Sequence, residues 1–557
     1  MSDADTPVVP PAPDGRSEPS ADDRDKKQRK RAKKARAVWI SFVGRILAQV
    51  LGAIASVALG LLLIQRYQSG PSSAPQATPA ADSTTTAPLR AAASRRAGEA
   101  AIAVLPLANL SGDPSRDYFA DGMTEALVAA LAQIDGLKVI SRTSTLRYKT
   151  APPSVPEIAR TLGVDLIVEG SVLLADDQVR ITAQLIDGTT DEHLWAESYT
   201  RRLRDVITLQ RDVADTIGTA IIGTVTRRPG AQGTAPRLVD PEVYDVYLRG
   251  RHAMNQRTSK GLQEAVDYFS RAVAQDESFA LAHVGLADAY ALQGSPGTGL
   301  LDVHLPMTRA RQSAMRALEL EPTLAEAHTA LAGVLFFGDR DYAGAEQSFR
   351  RALELQPNYP VAHEWLAVLL AELGRDGEAR GHAVTALTLS PLDATMHQAS
   401  GLVHYYGRRY AEAARAERRA LELTPSLPLA RAVLVKALTL GGDPATALAA
   451  CAEPASRREQ PDVLVACAVA ATRAGRAQQA SDLRAELEAA RPAPGVALSQ
   501  LEAALGEYAS AFVRMERLAA RGNLPPAFAF DPLFDALRQQ PQWSRFKADL
   551  TPTAAGR

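Results

Sequence analysis

The chain has 557 residues, with 62 Lys and Arg against 63 Asp and Glu, a formal net charge of −1 and two cysteines. This near-neutral balance offers no support for nucleic acid as a partner. Two cysteines in a chain of this length exclude a disulfide-dense scaffold.

The amino-terminal part predicts a membrane anchor. Residues 1–36 are polar and lack apolar periodicity, so they are predicted to be a disordered tail. This tail ends in a run from Arg24 to Arg36 that holds nine Lys or Arg, and an uncharged apolar stretch of 19 residues runs from Ile46 to Ile64. As a helix such a stretch spans roughly 28 Å, enough to cross a bilayer core. We therefore expect one uncleaved transmembrane signal anchor at 38–66.

The basic run also predicts the orientation of the chain. Positive charge collects on the cytoplasmic side of a membrane helix, so the amino terminus is expected in the cytoplasm of a bacterium and the bulk of the chain in the periplasm. The alternative, a nucleic-acid-binding run, is less favoured because the charges lie directly beside the apolar stretch. Residues 67–99 are rich in Pro, Ala, Ser and Thr and predict a mobile linker between the inner membrane and the folded part.

The segment 100–225 predicts a compact α+β domain. Strands are expected at 101–107, around Val139, and through an apolar run that starts at Leu166. An alternating strand at 179–185 and a paired strand near Trp195 follow. Helices are expected at 117–137, 156–162 and 205–221. The predicted order is β-α-β-α-β-β-β-α.

Several motifs of this domain resemble the TolB amino-terminal-like (FlgO-like) domain. They are, in chain order, 118–125, 141–144, 162–165, 169–172, 180–187 and 195–197. The resemblance covers nearly all of 100–222 and implies a membrane-anchored bacterial family in which this domain precedes helical repeats. Many members carry a winged-helix, cyclase or kinase domain ahead of the membrane helix, as in the CadC-like architecture. The 36 residues found here are too few for such a domain, so transcription control and cyclase activity are not expected.

A phrase of six residues, repeated at almost constant spacing, predicts a helical solenoid across 240–525. The phrase Ala-Leu-Glu-Leu-Glu-Pro ends at Pro322, and related copies end at Pro357, Pro391 and Pro425, at intervals of 35, 34 and 34 residues. A period of this length is typical of stacked helix–turn–helix units. We expect five or six helix pairs, with a tail at 526–557 that caps the stack.

The residues inside one unit resemble the tetratricopeptide repeat. Small Ala345, large Phe349 and the terminal Pro357 match its pattern of small and large positions. The resemblance implies an all-α solenoid whose groove binds a protein or peptide partner.

The sequence contains few candidates for catalytic, cofactor-binding or metal-binding motifs. It has no phosphate-binding loop of the Gly-x-x-x-x-Gly-Lys type, no His-Glu-x-x-His, no Cys-x-x-Cys and no Gly-x-Ser-x-Gly. Asp113, Asp117 and Asp121 are spaced like a carboxylate cluster, but capping at the start of a helix is the favoured interpretation. We predict no catalytic residue, no cofactor and no metal, and the chain is not expected to be an enzyme.

Four histidines occupy equivalent positions in successive repeats. His283, His328, His363 and His397 each lie six residues after the end of a phrase. One interpretation is a packing residue that was copied with each repeat, and the alternative is metal binding or pH sensing. The wide spacing of the repeats favours the packing residue. Three polar residues, His328, Glu364 and His397, are predicted to line the groove and contact the partner.

Cys451 and Cys467 lie on either side of a predicted turn near Pro454 to Pro461. Antiparallel helices joined there would bring them face to face, so a disulfide is one prediction in an oxidising periplasm. The alternative is two small buried residues.

Together these features predict a membrane-tethered periplasmic scaffold for protein–protein interaction. The alternative is a transmembrane sensor whose α+β domain binds an extracytoplasmic ligand or partner. An enzyme with an unrecognised site in the α+β domain is the third hypothesis.

Overall fold

A computed structural model describes residues 100–222, 239–256, 258–294, 304–452, 460–490, 494–521 and 524–550. The predicted tail at 1–36, the anchor at 38–66 and the linker at 67–99 lie outside the described residues. Within the described ranges, no helix combines the length and the apolar character needed to cross a membrane.

The first region is built on a mixed β-sheet. Its strands lie in the order β3-β1-β4-β5-β6, with β2 paired to β4. β1 pairs in parallel with β3 and β4, whereas β4, β5 and β6 form an antiparallel meander. The strands are β1 Ala100–Val104, β2 Ala108–Asn109, β3 Leu137–Val139, β4 Leu166–Ala175, β5 Gln178–Asp187 and β6 His193–Arg202.

Helices cover both faces of this sheet because the strands alternate their side chains between two cores. Ile102 and Val104 face one core, which the longer helices α1 and α4 cover. Ala101 and Ala103 face the other, which α3 covers. The helices are α1 Asp117–Ala132, α2 Arg142–Thr145, α3 Val155–Leu162 and α4 Val206–Ile222. The predicted α/β region is confirmed, and its predicted strands and helices occur in the expected order, with β2 and α2 in addition.

The second region is an all-helical solenoid of eight antiparallel helix pairs within the described residues between 241 and 520. The sequence prediction of five or six pairs is therefore too low. The pairs are α5 Pro241–Asn255 with α6 Ser259–Gln275, α7 Ala280–Gln293 with α8 His304–Leu320, α9 Ala325–Gly333 with α10 Tyr342–Leu355, α11 Pro360–Glu372 with α12 Asp376–Leu389, α13 Ala394–Tyr406 with α14 Tyr410–Leu423, α15 Pro428–Leu440 with α16 Pro444–Cys451, α17 Pro461–Arg473 with α18 Ala477–Ala489, and α19 Gly495–Ala504 with α20 Tyr508–Ala520.

Small residues opposite large ones allow the helices of a pair to approach closely. A Cβ added at Gly250 or at Gly285 would lie 2.6 Å from the ring of Phe269, which is completely buried. Ala345 and Phe349 of α10, two pairs further along, are also completely buried. The repeat period therefore reflects close packing of small against large side chains.

The two regions are packed together rather than joined only by the chain. One hydrophobic core contains residues of α1, α4 and the sheet together with residues of α5, α6 and α7. Gly122 of α1 makes room for Leu248 of α5, since an added Cβ would lie 2.5 Å from the Leu248 side chain. At the edge of this core Tyr118 donates a hydrogen bond to Asp245, and Arg249 donates to the Tyr118 hydroxyl over 2.9 Å.

A second set of contacts joins the α/β region to the middle of the solenoid. The Asn358 side chain donates to the Leu137 carbonyl over 2.9 Å, and the Ser141 amide donates to the Leu389 carbonyl over 2.8 Å. The amide of Leu392 donates to Ser144 Oγ over 3.1 Å, and the Ser141 and Ser390 hydroxyls are hydrogen-bonded to each other. The α/β region is thus held at two separate places along the solenoid.

The C-terminal segment, residues 524–547, follows the last pair. It comprises 3-10 turns at Pro526–Ala529 and Pro532–Phe534, the short α21 at Asp535–Arg538 and the start of α22, Gln542–Leu550. Phe534, Leu537 and Phe546 pack against Phe512 and Met515 of α20. The segment therefore covers the apolar end of the stack, and part of it also contacts earlier pairs.

Candidate partner-binding surface

The first helices of the eight pairs form one continuous surface. Each packs against the first helix of the next pair, from α5 through α19. In a solenoid this places the first helices on the inner side of the curve, where extended partners are bound. We refer to this surface as the inner face.

An aromatic patch lies on the inner face between α9 and α11. It consists of Phe336, Phe337, Tyr342 and Trp365, with the Phe337 and Trp365 rings in edge-to-face contact at 4.9 Å between centroids. Phe337 is 41% exposed, although it is a large apolar side chain. Exposed aromatic side chains of this kind supply much of the binding energy at protein interfaces.

A local backbone irregularity presents Phe337 to solvent. The helix α9 continues as a π-helical turn at Val334–Asp339 and ends at Arg340, whose φ is +58°. The Asp341 amide donates to the Leu335 carbonyl over 2.8 Å, which closes this turn. The chain therefore remains helical up to Asp339. Single π turns within α-helices occur frequently at functional sites.

The four equivalent histidines fasten the turns between successive pairs. In each case the imidazole Nε2 hydrogen-bonds to a backbone carbonyl six residues earlier, over 2.9 to 3.0 Å. Because a carbonyl oxygen can only accept, Nε2 carries a proton and donates in each of these bonds. Burial lowers the pKa of His328, His363 and His397, and each of these rings therefore favours its neutral form.

The three residues predicted to contact the partner lie at the starts of α9, α11 and α13. His328 and His397 are half-buried at their turns, and Glu364 is only 5% exposed. His328 and His397 occupy equivalent positions, Glu364 lies one residue after the equivalent His363, and the structure does not bring the three into one cluster. Their role in partner binding stays a prediction, and a partner would meet little of the Glu364 side chain.

His363 has a second neighbour that the sequence pattern does not suggest. Its Nδ1 lies 2.8 Å from Nδ1 of His382 on α12. Burial, His363 and Arg350 lower the pKa of His382 to about 4. The pair is therefore neutral at pH 7.

The three spaced aspartates have separate roles. Asp113 accepts from the Ser115 amide over 2.9 Å, and Asp117 accepts from the Asn109 side chain over 2.8 Å. Asp121 is buried and lies 2.8 Å from Lys149 Nζ. Among the described residues, no group of three or more His, Cys, Asp or Glu is placed to hold a metal ion.

Asp121 is at the centre of a charged cluster beside α5. Arg142 and His252 each approach its carboxylate to 3.6 Å. Burial alone would raise the pKa of Asp121, but hydrogen bonds from His252 and Lys149 and the charge of Arg142 outweigh it and lower the pKa. The cluster therefore ties α2, α1 and α5 together around the Asp121 carboxylate.

Cys451 and Cys467 are joined by a disulfide that links α16 to α17. Both are buried, and a small cleft beside them is lined by Gln479, Asp482 and Glu486. The bridge holds the short second helix of the sixth pair against the next pair.

The sequence reasoning missed the aromatic patch and the contacts of the C-terminal segment with earlier pairs. The adjacent phenylalanines at 336 and 337, directly before Gly338, are the signal that could have indicated the patch. Adjacent residues of a helix point in different directions, so one of two neighbouring phenylalanines is a candidate for an exposed position.

Comparisons with known proteins were made for the whole chain. No protein-family model matches it. Over 186 residues it is 42% identical to a Rhizobium meliloti protein named putative adenylate cyclase 3, a match that covers 33% of this chain and 32% of that protein. The chain thus spans about one third of the length of the curated relative it matches.

The solved structures that align with parts of the chain include tetratricopeptide repeat proteins. The structure of pilF from Pseudomonas aeruginosa is 21% identical, with a TM-score of 0.31 over 39% of this chain and 92% of its own. A tetratricopeptide repeat protein from Parabacteroides merdae is 12% identical, with a TM-score of 0.34 over 48% of this chain and 100% of its own. Scores this low carry no argument, so the tetratricopeptide-type fold of the solenoid rests on the observed helix pairs and their period.

Proposed function

We propose that this chain is a non-enzymatic interaction scaffold whose inner face binds an extended segment of a partner protein. The observation that carries the proposal is the aromatic patch, in which the half-exposed Phe337 is braced by Trp365. Because Trp365 is held in place on α11, Phe337 is presented with little freedom left to lose on binding. A preorganised aromatic side chain is well suited to anchor a partner.

The α/β region fixes the first half of the solenoid in this proposal. It shares a core with α5, α6 and α7 and is hydrogen-bonded to the loops at Asn358 and Ser390. We assign it to the TolB amino-terminal-like type on the motifs described above. The uncharged stretch from Ile46 to Ile64, directly after nine basic residues, supports tethering to the bacterial inner membrane with the folded part in the periplasm.

The curated relative is named a putative adenylate cyclase, and that activity is not part of the proposal. The match covers one third of that protein. A cyclase assay distinguishes an adenylate cyclase from a non-enzymatic scaffold. The purified chain is incubated with ATP and a divalent cation, and cyclic AMP is measured. The proposal expects no turnover above the level of heat-denatured protein.

A sensor is the second candidate, and one specific observation favours it. The strand β3 and helix α2 are hydrogen-bonded to the middle of the solenoid through Ser141 and Ser144. A ligand that shifted α2 would therefore move the loop at 389–392 directly. Partner binding that depends on an added periplasmic extract of small molecules would support this candidate.

Proximity labelling in cells tests the scaffold. A labelling enzyme fused after Arg557 should mark a small set of periplasmic or envelope proteins. Phe337→Ala should reduce the labelling of one of them at least fivefold, whereas Val384→Ala, at a 63% exposed apolar position on α12, should not. Labelling restricted to cytoplasmic proteins would overturn the proposed location, and equal labelling by both variants would overturn the aromatic patch as the binding site.

A further inference from the structure

The inner face of the C-terminal half is covered by a piece of the chain itself. Residues 530–535, which we call the docked segment, contact the first helices of pairs that lie far back along the sequence. Tyr405 is separated from Asp531 by 126 residues and Arg408 from Asp535 by 127 residues. The docked segment thus crosses the surface where a partner of a solenoid would lie.

The docked segment is held by a buried carboxylate. Asp531 is 4% exposed and accepts hydrogen bonds from the Tyr405 hydroxyl over 2.7 Å and from the Gln500 side chain over 2.6 Å. Its other contact is the Leu533 amide of the segment itself, at 2.9 Å. Two donors from different helix pairs converge on this one carboxylate. A buried polar group with fully matched partners specifies which side chain may occupy the position.

Apolar contacts lie on both sides of Asp531. The Phe530 ring covers Gly374, where an added Cβ would lie 2.2 Å from it. Leu533 belongs to a cluster with Leu464 and Leu498 of α17 and α19. The site therefore has an aromatic position, a carboxylate position and an aliphatic position in order along the inner face.

A cation closes the far end of the site. Arg408, at the turn after α13, forms an ion pair with Asp535 and donates to the Phe530 carbonyl over 3.4 Å. Arg408 has φ +59°, a conformation that non-glycine residues rarely adopt. The turn thus aims its guanidinium at the docked segment.

Two of these contacts are separate from those that close the end of the stack. Phe534, Leu537 and Phe546 cover Phe512 and Met515 of the last pair, and Asp531 and Leu533 also contact α19 of that pair. By contrast, Phe530 covers Gly374 and Asp535 pairs with Arg408, at the turns after α11 and α13. Phe530 remains 37% exposed and its removal leaves the end packing in place.

We propose that the inner face from α11 to α19 is a second recognition site, specific for a protein segment with an aspartate between an aromatic and an aliphatic residue, and that the docked segment occupies it in cis until such a partner displaces it. This inference rests on the proposed function, since it assigns the partner chemistry of the same inner face. The chain's own segment Phe530-Asp531-Pro532-Leu533 is the model of the ligand.

The test uses the full chain and a fluorescent synthetic peptide of residues 524–540. Phe530→Ala with Asp535→Ala weakens the docked segment and leaves Phe534, Leu537 and Phe546 untouched. This double variant should bind the peptide at least tenfold more tightly than the wild-type chain does. A peptide that carries Asp531→Asn should bind at least tenfold more weakly, and so should the wild-type peptide when Tyr405→Phe is added to the double variant.

Three results would overturn the proposal. One is equal peptide binding by the wild type and the double variant, and another is indifference of binding to Asp531→Asn. The third is a concentration-dependent dimer of the double variant without peptide binding, which would assign the face to a second copy. Arg415→Ala, an exposed outer position paired with Glu412, is the control and should bind the peptide as weakly as the wild type.

Hydrogen exchange on the wild-type chain keeps the proposal testable if the double variant unfolds. The amides of 530–535 should exchange faster than those of α20, and excess peptide should accelerate them further. Identical exchange in both segments would show that the docked segment is a permanent part of the end packing. Because no cellular partner is needed, peptide binding can succeed when proximity labelling fails, and the two failures are distinguishable.

Discussion

Replacement of Glu417 by methionine should stabilise the solenoid. Glu417 on α14 is completely buried, and among the residues that the structure describes neither of its carboxylate oxygens has a hydrogen-bond partner. It occupies the position that Phe349 fills two pairs earlier, eight residues before the proline of its phrase. Gly401 makes room for it, since a Cβ there would lie 2.3 Å from Oε1.

The expected gain in the free energy of unfolding equals the cost of burying an unpaired polar group, which is about 1–3 kcal/mol. Methionine keeps the length and flexibility of the side chain and removes the carboxyl group. Glu417→Met should therefore raise the free energy of unfolding by about 1–3 kcal/mol even where the carboxyl is neutral. Burial raises the pKa of Glu417 well above 4.5, so the wild type loses further stability as the pH rises above 4.5.

Urea unfolding followed by circular dichroism at pH 5 and pH 8 measures both effects. Midpoints are compared, because an array of repeats need not unfold in one step. Glu417→Gln should reduce the loss of stability between the two pH values by the part that Glu417 contributes, and it retains the unpaired polar group. Glu412→Met, at an exposed position of the same helix, is the matched control and should change the stability by less than about 0.5 kcal/mol. A Glu417→Met chain no more stable than the wild type at pH 8 would refute the reasoning.

Three further perturbations test other parts of the structure. Cys451→Ser with Cys467→Ser should lower the free energy of unfolding by about 3 kcal/mol, the value for a loop of about 15 residues, and a reductant should have no further effect in urea titrations. Burial and the charge of Asp531 raise the pKa of Glu372 from 4.5 to about 7, so wild-type stability should fall as the pH rises from 4.5 to 7, and Glu372→Gln should make this fall smaller in thermal melts. The pKa of His382 is lowered from 6.5 to about 4, so stability should be lost as the pH falls from 6.5 towards 4, and a loss in His382→Gln as large as that of the wild type would contradict this origin.

Local patterns predicted the elements well where each element had its own periodicity. The alternating residues at 179–185 form the middle of β5, and the helix predicted at 156–162 is observed at Val155–Leu162. The helix predicted at 117–137 ends earlier, at Ala132, because Leu137 is the first residue of β3 and pairs with Ala100 of β1. The local hydrophobic periodicity does not reveal a strand partner that lies 37 residues away in the sequence.

The number of helix pairs was underestimated for a related reason. The phrase that ends in proline is lost after Pro425, and the second helix of the sixth pair is only eight residues long. Its place in the stack depends on the disulfide and on packing with α15 and α17. Tertiary contacts therefore define the pairs that the repeat pattern no longer shows.

The candidate site was predictable only as a general surface. The period indicated a groove, but the residues singled out for it are the turn-fixing histidines and the buried Glu364. A repeated residue in a solenoid is repeated because each pair needs it for packing, whereas a binding surface differs from pair to pair. Phe337 and Asp531 each occur once, so the repeat could not point to them.

Site-specific photocross-linking tests the central claim, that the inner face binds a partner protein, most directly. A photoreactive phenylalanine analogue is placed at 337 on the inner face or at 384 on the outer helix α12, in otherwise wild-type chains in cells. The account predicts one discrete cross-linked protein from position 337, absent from position 384 and lost when Trp365→Ala is added. The account would be contradicted if both positions cross-linked the same proteins in equal yield, or if position 337 gave no cross-link in the native host.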